Sequence, residues 1–252
     1  MSTLRMALGK YTSLFSPLHN TSLQNLKSIN WMNERATSDK AYVPTTVEHI
    51  ANVITHGVWV LPSAYGSYEL LARSSSWSHF WAAVVYGISL FLCFTVSTIF
   101  HSVFYCGNNR PLKEILHRGD RAMIYVFIAA SYFPWLVLQP LPTDTVPAHL
   151  WWIVWVLAFL GITYQQIFHE KYKSLETFFY VLMGLGPSII VMHYNAMGPG
   201  EEALKLGGLL YILGVIFFKS DGKIPCAHAI WHLFVACAAG IHYFAILNHL
   251  YS

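Results

Sequence analysis

The chain has 252 residues, 55% of them hydrophobic and 11% charged, with a formal net charge of +3. Soluble domains carry about 25% charged residues, so the composition excludes an ordinary globular domain built on one core. The net charge is too small to suggest a nucleic-acid partner, and no basic block supports one. The expectation is an all-α, polytopic membrane protein.

Residues 1–46 differ from the rest. They are rich in Ser, Asn, Thr and charge, and they contain no apolar run of secretory-signal length. We read them as a flexible cytoplasmic tail with a short amphipathic piece around Leu4 to Phe15. Asn20-Thr21-Ser22 matches the N-glycosylation sequon, but the orientation derived below puts it in the cytosol, where it would stay unused. Residues 47–252 are expected to form a single membrane domain, with no convincing internal repeat. Cys93, Cys106, Cys226 and Cys237 form no C-x-x-C pair and sit in or beside apolar runs, so reduced thiols are expected.

Seven apolar runs approach the length needed to cross a hydrocarbon core of about 30 Å at about 1.5 Å per residue. They are Val47–Leu71, Phe80–Tyr105, Met123–Leu141, Leu150–Ile167, Leu175–His193, Ala203–Phe218 and Ile224–Leu247. The sixth is the shortest. Pro62, Pro134, Gly184, Gly186 and Pro187 fall inside these runs, as membrane helices allow.

Lysine and arginine set the orientation. The tail carries Arg5, Lys10, Lys27, Arg35 and Lys40, and the segment after the second run carries Arg110, Lys113, Arg118 and Arg121. Lys171 and Lys173 follow the fourth run, and Lys219 and Lys223 follow the sixth. The opposite side has only Arg73 and Lys205, a split of 13 to 2. The N-terminus is therefore expected in the cytoplasm and the C-terminus in the lumen or outside, opposite to a G-protein-coupled receptor.

Ionisable residues inside spans are costly and are functional candidates by default. The second run ends with Ser97 and His101, spaced i, i+4, and the third was expected to open just after Asp120. The seventh carries His228 and His232, also i, i+4 and so on one helix face. The lysine and arginine count puts all of these near the inner face. Three histidines with one open position form the ligand set of a catalytic zinc. Asp120 would then hold or deprotonate a water at the metal, and Ser97 would orient that water or the substrate.

Each residue also has a structural reading. The histidines could donate to backbone carbonyls, Asp120 could cap the third helix or pair with Arg118 or Arg121, and Ser97 could bond back to Cys93. Cys106 and Cys226 lie near enough to be alternative ligands. Glu48, Asn52 and His56 form a second polar stripe at i, i+4, i+8. Glu48 could be interfacial, and Asn52 and His56 read as interhelical hydrogen-bonding residues. His242 reads as a packed core histidine.

Ser-x3-His at the end of the second run, an Asp at the third and His-x3-His in the seventh resemble the progestin and adipoQ receptor family, whose bacterial relatives are the hemolysin III-type proteins. The similarity runs from about Tyr42 to Tyr251, including FIAASYFPWL (127–136), FHEKYK (168–173) and FFKSDGKIPCAHAIWHLFVA (217–236). It implies seven spans with a cytoplasmic N-terminus, zinc on His101, His228 and His232, and the family Asp and Ser at Asp120 and Ser97. It also implies membrane lipids as surroundings and a lipid substrate or ligand. Relatives are associated with ceramide hydrolysis, with Ras signalling at the Golgi, and with late endosomes and lysosomes. Three functions stay open: a receptor-like signalling protein with protein partners, a zinc-dependent lipid amidase, or a transporter or channel that uses the polar helix faces.

Overall fold

The computed structural model describes residues 29–37, 42–106, 109–139, 141–194 and 198–252. The expected tail piece Leu4 to Phe15 and the sequon lie outside the described residues. Residues 32–252 form one compact unit. Among the described residues the regular structure is entirely helical. The elements are α1 (Thr46–Ala72), α2 (Trp77–Cys106), α3 (Arg110–Leu138), a 3-10 turn (Val146–His149), α4 (Leu150–Ile167), α5 (Lys173–His193), α6 (Glu201–Phe218) and α7 (Ala227–Leu250).

Five of these segments are long and apolar enough to cross a membrane: α2, α3, α4 with its leading turn, α5 and α7. Leu61, Trp77 and Phe159 are more than half exposed on outward faces. In water such surfaces would cost free energy; in hydrocarbon they are matched to their solvent.

Helix starts are set by local chemistry. Thr45 caps α1, its hydroxyl accepting the Glu48 N–H at 3.3 Å. Thr45-x-x-Glu48 has the form of a capping box, but the Glu48 carboxylate turns away to α7. Asn109 caps α3 by accepting the Leu112 N–H at 3.2 Å, and Pro111 lies in the first turn. Cys226, with φ 54° in the left-handed region, follows Pro225 and sets the start of α7 at Ala227.

Two expectations are corrected here. The third helix does not open after Asp120: it starts at Arg110, so Asp120 lies well inside it and cannot be its cap. The first turns are charged on one side, with Arg110, Lys113, Glu114 and Arg118, and so escape a hydropathy reading. The helix also stops at Leu138, because Gln139 is extended ahead of Pro140.

Packing places the functional helices together. α1 lies against α2 and α7, α2 against α3, α3 against α4, α5 and α7, and α6 against α7, while α5 and α6 barely touch. One apolar cluster joins Leu70, Tyr86, Phe94, Phe127, Ala239 and Ile246 from α1, α2, α3 and α7. A second joins Tyr125, Ala129, Val154, Ala158 and Met183 from α3, α4 and α5. Gly161 is where α4 closes on α3: a Cβ there would lie 2.3 Å from the Tyr125 ring. α3 thus spans both clusters.

Candidate metal centre

His101 lies near the end of α2, and His228 and His232 lie in the first two turns of α7. Their rings converge, with centroids 5.2 Å (His101 to His228), 5.1 Å (His101 to His232) and 4.7 Å (His228 to His232) apart. One ring nitrogen from each lies within 4.8 Å of the others, a group that could hold a metal ion. Cys226 does not join this group.

The surroundings fit a metal better than they fit three structural histidines. His101 is 1% exposed, and neither of its ring nitrogens has a hydrogen-bond partner among the described residues. A buried polar group left unpaired costs about 1–3 kcal/mol, so the backbone-carbonyl reading fails for this residue. Three imidazoles at this distance offer a donor set that could hold a metal ion.

The polar stripe on α1 lies against this group. Glu48, expected at an interface, is fully buried; its carboxylate accepts the backbone N–H of His228 at 3.3 Å. That places a carboxylate at the positive end of α7. Tyr42 stacks on the His228 ring at 5.2 Å, and its hydroxyl accepts from Asn52 Nδ2 at 3.2 Å. His56 stacks on His232 with ring centroids 3.7 Å apart. Its Nδ1 lies 2.8 Å from the Ser97 hydroxyl, so Ser97 meets α1 where a bond back to Cys93 was the alternative. His242, expected as packed core, has its Nε2 3.2 Å from the Leu204 carbonyl.

Asp120 lines the same cavity as Ser97 and the three histidines. Its two alternative cationic partners are engaged elsewhere. Arg118 pairs with Glu114 at 3.0 Å, and Arg121 pairs with Glu170 at 2.9 Å and Glu176 at 2.6 Å. Asp120 lies outside the group of three histidines whose ligand atoms share the 4.8 Å limit.

Thr55 and Tyr42 were missed by sequence reasoning. Thr55 Oγ1 lies 3.1 Å from His232 Nδ1. Extending the stripe from Glu48 by i+7 would have found Thr55. Nothing local in the sequence marks Tyr42.

A second group, His117, His169 and Glu170, also has metal-compatible spacing. Here a cation is already present. The Arg121 guanidinium donates to His117 Nε2 at 3.2 Å and pairs with Glu170, which Lys173 also meets at 2.7 Å. Arg121 and Lys173 thus already supply positive charge to Glu170, and the group reads as an ion-pair network.

A cavity of about 640 Å³ runs from the three histidines, Ser97 and Asp120 past Phe127, Ile128 and Trp135 to Leu204. Gly184 on α5 and Gly208 on α6 line it, and a side chain at either would meet nothing within 4 Å. At the histidine end, Arg35 and Ala36 contribute to the lining. Their segment is tied to Asp221, which accepts from Asn33 Nδ2 and, at 3.4 Å, from the Ala36 N–H.

A family model described as haemolysin-III related matches residues 45–243. The monocyte to macrophage differentiation factor of Homo sapiens is 46% identical over 224 residues, covering 88% of this chain and 92% of that protein. A hemolysin-3 homolog of Bacillus subtilis (strain 168) is 38% identical over 208 residues, covering 81% of this chain and 94% of that protein. Hemolysin-3 of Bacillus cereus is 33% identical over 228 residues, covering 87% and 98%.

Proposed function

The chain belongs to the haemolysin-III related family, and on that premise we propose that it is a receptor-like signalling protein of endomembranes with an intramembrane zinc centre on His101, His228 and His232. The observation that carries the zinc centre is the convergence of three imidazoles around His101, whose two nitrogens are buried without partners. The proposal includes seven spans, α1 and α6 joining the five apolar ones, with the N-terminus in the cytoplasm. The 13-to-2 split of Lys and Arg supports that orientation. The signalling role rests on the family resemblance, and Golgi or late endosomes and lysosomes are its proposed locations.

A second reading, a lipid amidase, is favoured by one observation: the cavity is continuous with the histidines, Ser97 and Asp120. Bound there, zinc would supply Lewis acidity toward a carbonyl oxygen. The chain's own residues would do the rest. The apolar lining around Phe127, Ile128 and Trp135 would take an acyl chain and exclude water. Asp120 would accept a proton from water, and Ser97, which lines the same cavity, would hold that water or the substrate in place.

One comparison separates the two readings: Asp120→Asn against His232→Ala, each in a cell-based signalling assay and on a ceramide panel. A signalling protein with structural zinc keeps its output and location in Asp120→Asn and loses them in His232→Ala. An amidase keeps its zinc in Asp120→Asn but loses turnover, since general base catalysis is worth about 10²–10⁴-fold. Equal loss of zinc in both variants would make Asp120 a ligand and contradict its role as a base.

A further inference from the structure

Thr55 carries an inference about the tautomer of His232. A threonine hydroxyl has one hydrogen to donate. Thr55 Oγ1 lies 2.8 Å from the Ala51 carbonyl and 3.3 Å from the Asn52 carbonyl, so that hydrogen is given to its own helix, the common arrangement for Thr in membrane helices. His232 Nδ1, 3.1 Å away, therefore meets an oxygen lone pair. A bare imidazole nitrogen facing a lone pair is repulsive; an N–H facing it is a hydrogen bond. With that hydrogen on the Ala51 carbonyl, the contact favours the proton on Nδ1, which leaves Nε2 as the nitrogen with a lone pair.

The next residue of the same helix acts on the same ring. His56 stacks on the face of His232 with an interplanar angle of 17°, while Thr55 meets its edge. His232 is 2% exposed, so water cannot replace either contact. The ring is thus fixed in tilt by His56 and in tautomer by Thr55.

We propose that Thr55 is a positioning residue for the metal centre: it holds His232 in the Nδ1–H form and so selects Nε2 as the ligand atom. This rests on the three-histidine reading above. Outer partners that donate to or accept from a ligating imidazole typically change metal affinity by about 10–100-fold, and a hydroxyl whose hydrogen goes to the Ala51 carbonyl at 2.8 Å is suited to accept from that ring.

The test uses the full chain purified in detergent, with zinc affinity measured by competition against a chelator. Thr55→Val keeps the shape and removes the oxygen; it should bind zinc about 10–100-fold more weakly. Thr55→Ser restores the oxygen and should recover most of the affinity. Unchanged affinity in Thr55→Val, or equal loss in both variants, would overturn the proposal. Nitrogen-15 histidine NMR of the zinc-loaded wild type gives an answer that needs no variant: Nδ1 of His232 protonated and Nε2 ligated is expected, and Nδ1 ligated overturns it. Wild type that binds no zinc, or that binds it equally after His101→Ala, removes the three-histidine reading itself. Failure confined to Thr55→Val leaves that reading standing.

Discussion

His56 Nδ1 and the Ser97 hydroxyl lie 2.8 Å apart in a buried contact that ties α1 to α2 beside the three converging histidines. Asp120 on α3 lines the same cavity as Ser97. The seventh helix joins α1 and α2 here through the stack of His56 on His232.

The contact predicts energetic coupling. His56→Phe keeps an aromatic ring against His232 but cannot bond Ser97, and Ser97→Ala removes the other partner. In a double-mutant cycle read by thermal unfolding, contacting residues typically couple by about 0.5–3 kcal/mol. Additive losses would mean that the bond contributes nothing to the native state.

Arg121 is predicted to matter far more than an exposed arginine. It is 14% exposed and is bound to Glu170 and Glu176, themselves 8% and 5% exposed. Arg121→Met would leave Glu176 buried without its cation and Glu170 with Lys173 alone, and removing one partner of a buried pair costs about 3–5 kcal/mol. Arg73→Met breaks only an exposed pair with Glu69, worth less than about 1 kcal/mol. Similar melting temperatures for the two variants would contradict the ion-pair network.

Acid should destabilise the chain through His169, in the segment between α4 and α5. Burial pushes its imidazole down to about 4, against the pull of Glu170 and aided by Arg118 and Arg121. An unfolded histidine titrates near about 6.5. The unfolded chain therefore takes up the proton first, so stability falls as pH drops from about 6.5 and the loss is complete below about 4. His169→Gln removes this titration and should flatten the decline across that window. An unchanged slope would place the acid sensitivity elsewhere.

How much of this was legible follows from what each residue looks like locally. His228 and His232 stand out as an i, i+4 pair of imidazoles in an apolar run, His101 as an ionisable residue at the end of another, four positions after Ser97, and α4 matched its expected limits, Leu150–Ile167. The start of α3 was hidden because its first turns are charged on one side, so an apolar run marks only its deeper part. Glu48 read as interfacial from its place at a helix end; it is buried because Tyr42 and the first turn of α7 cover it. Thr55 was invisible for a different reason. A threonine in a membrane helix usually bonds back to its own carbonyls, and here it does that and also meets His232, a partner 177 positions away.

The central claim is that His101, His228 and His232 hold a zinc ion, and metal analysis of the purified full chain tests it most directly. Elemental analysis should find about one zinc per chain in the wild type and little in a His228→Ala, His232→Ala double variant that still folds. Full zinc retention in that double variant would contradict the site.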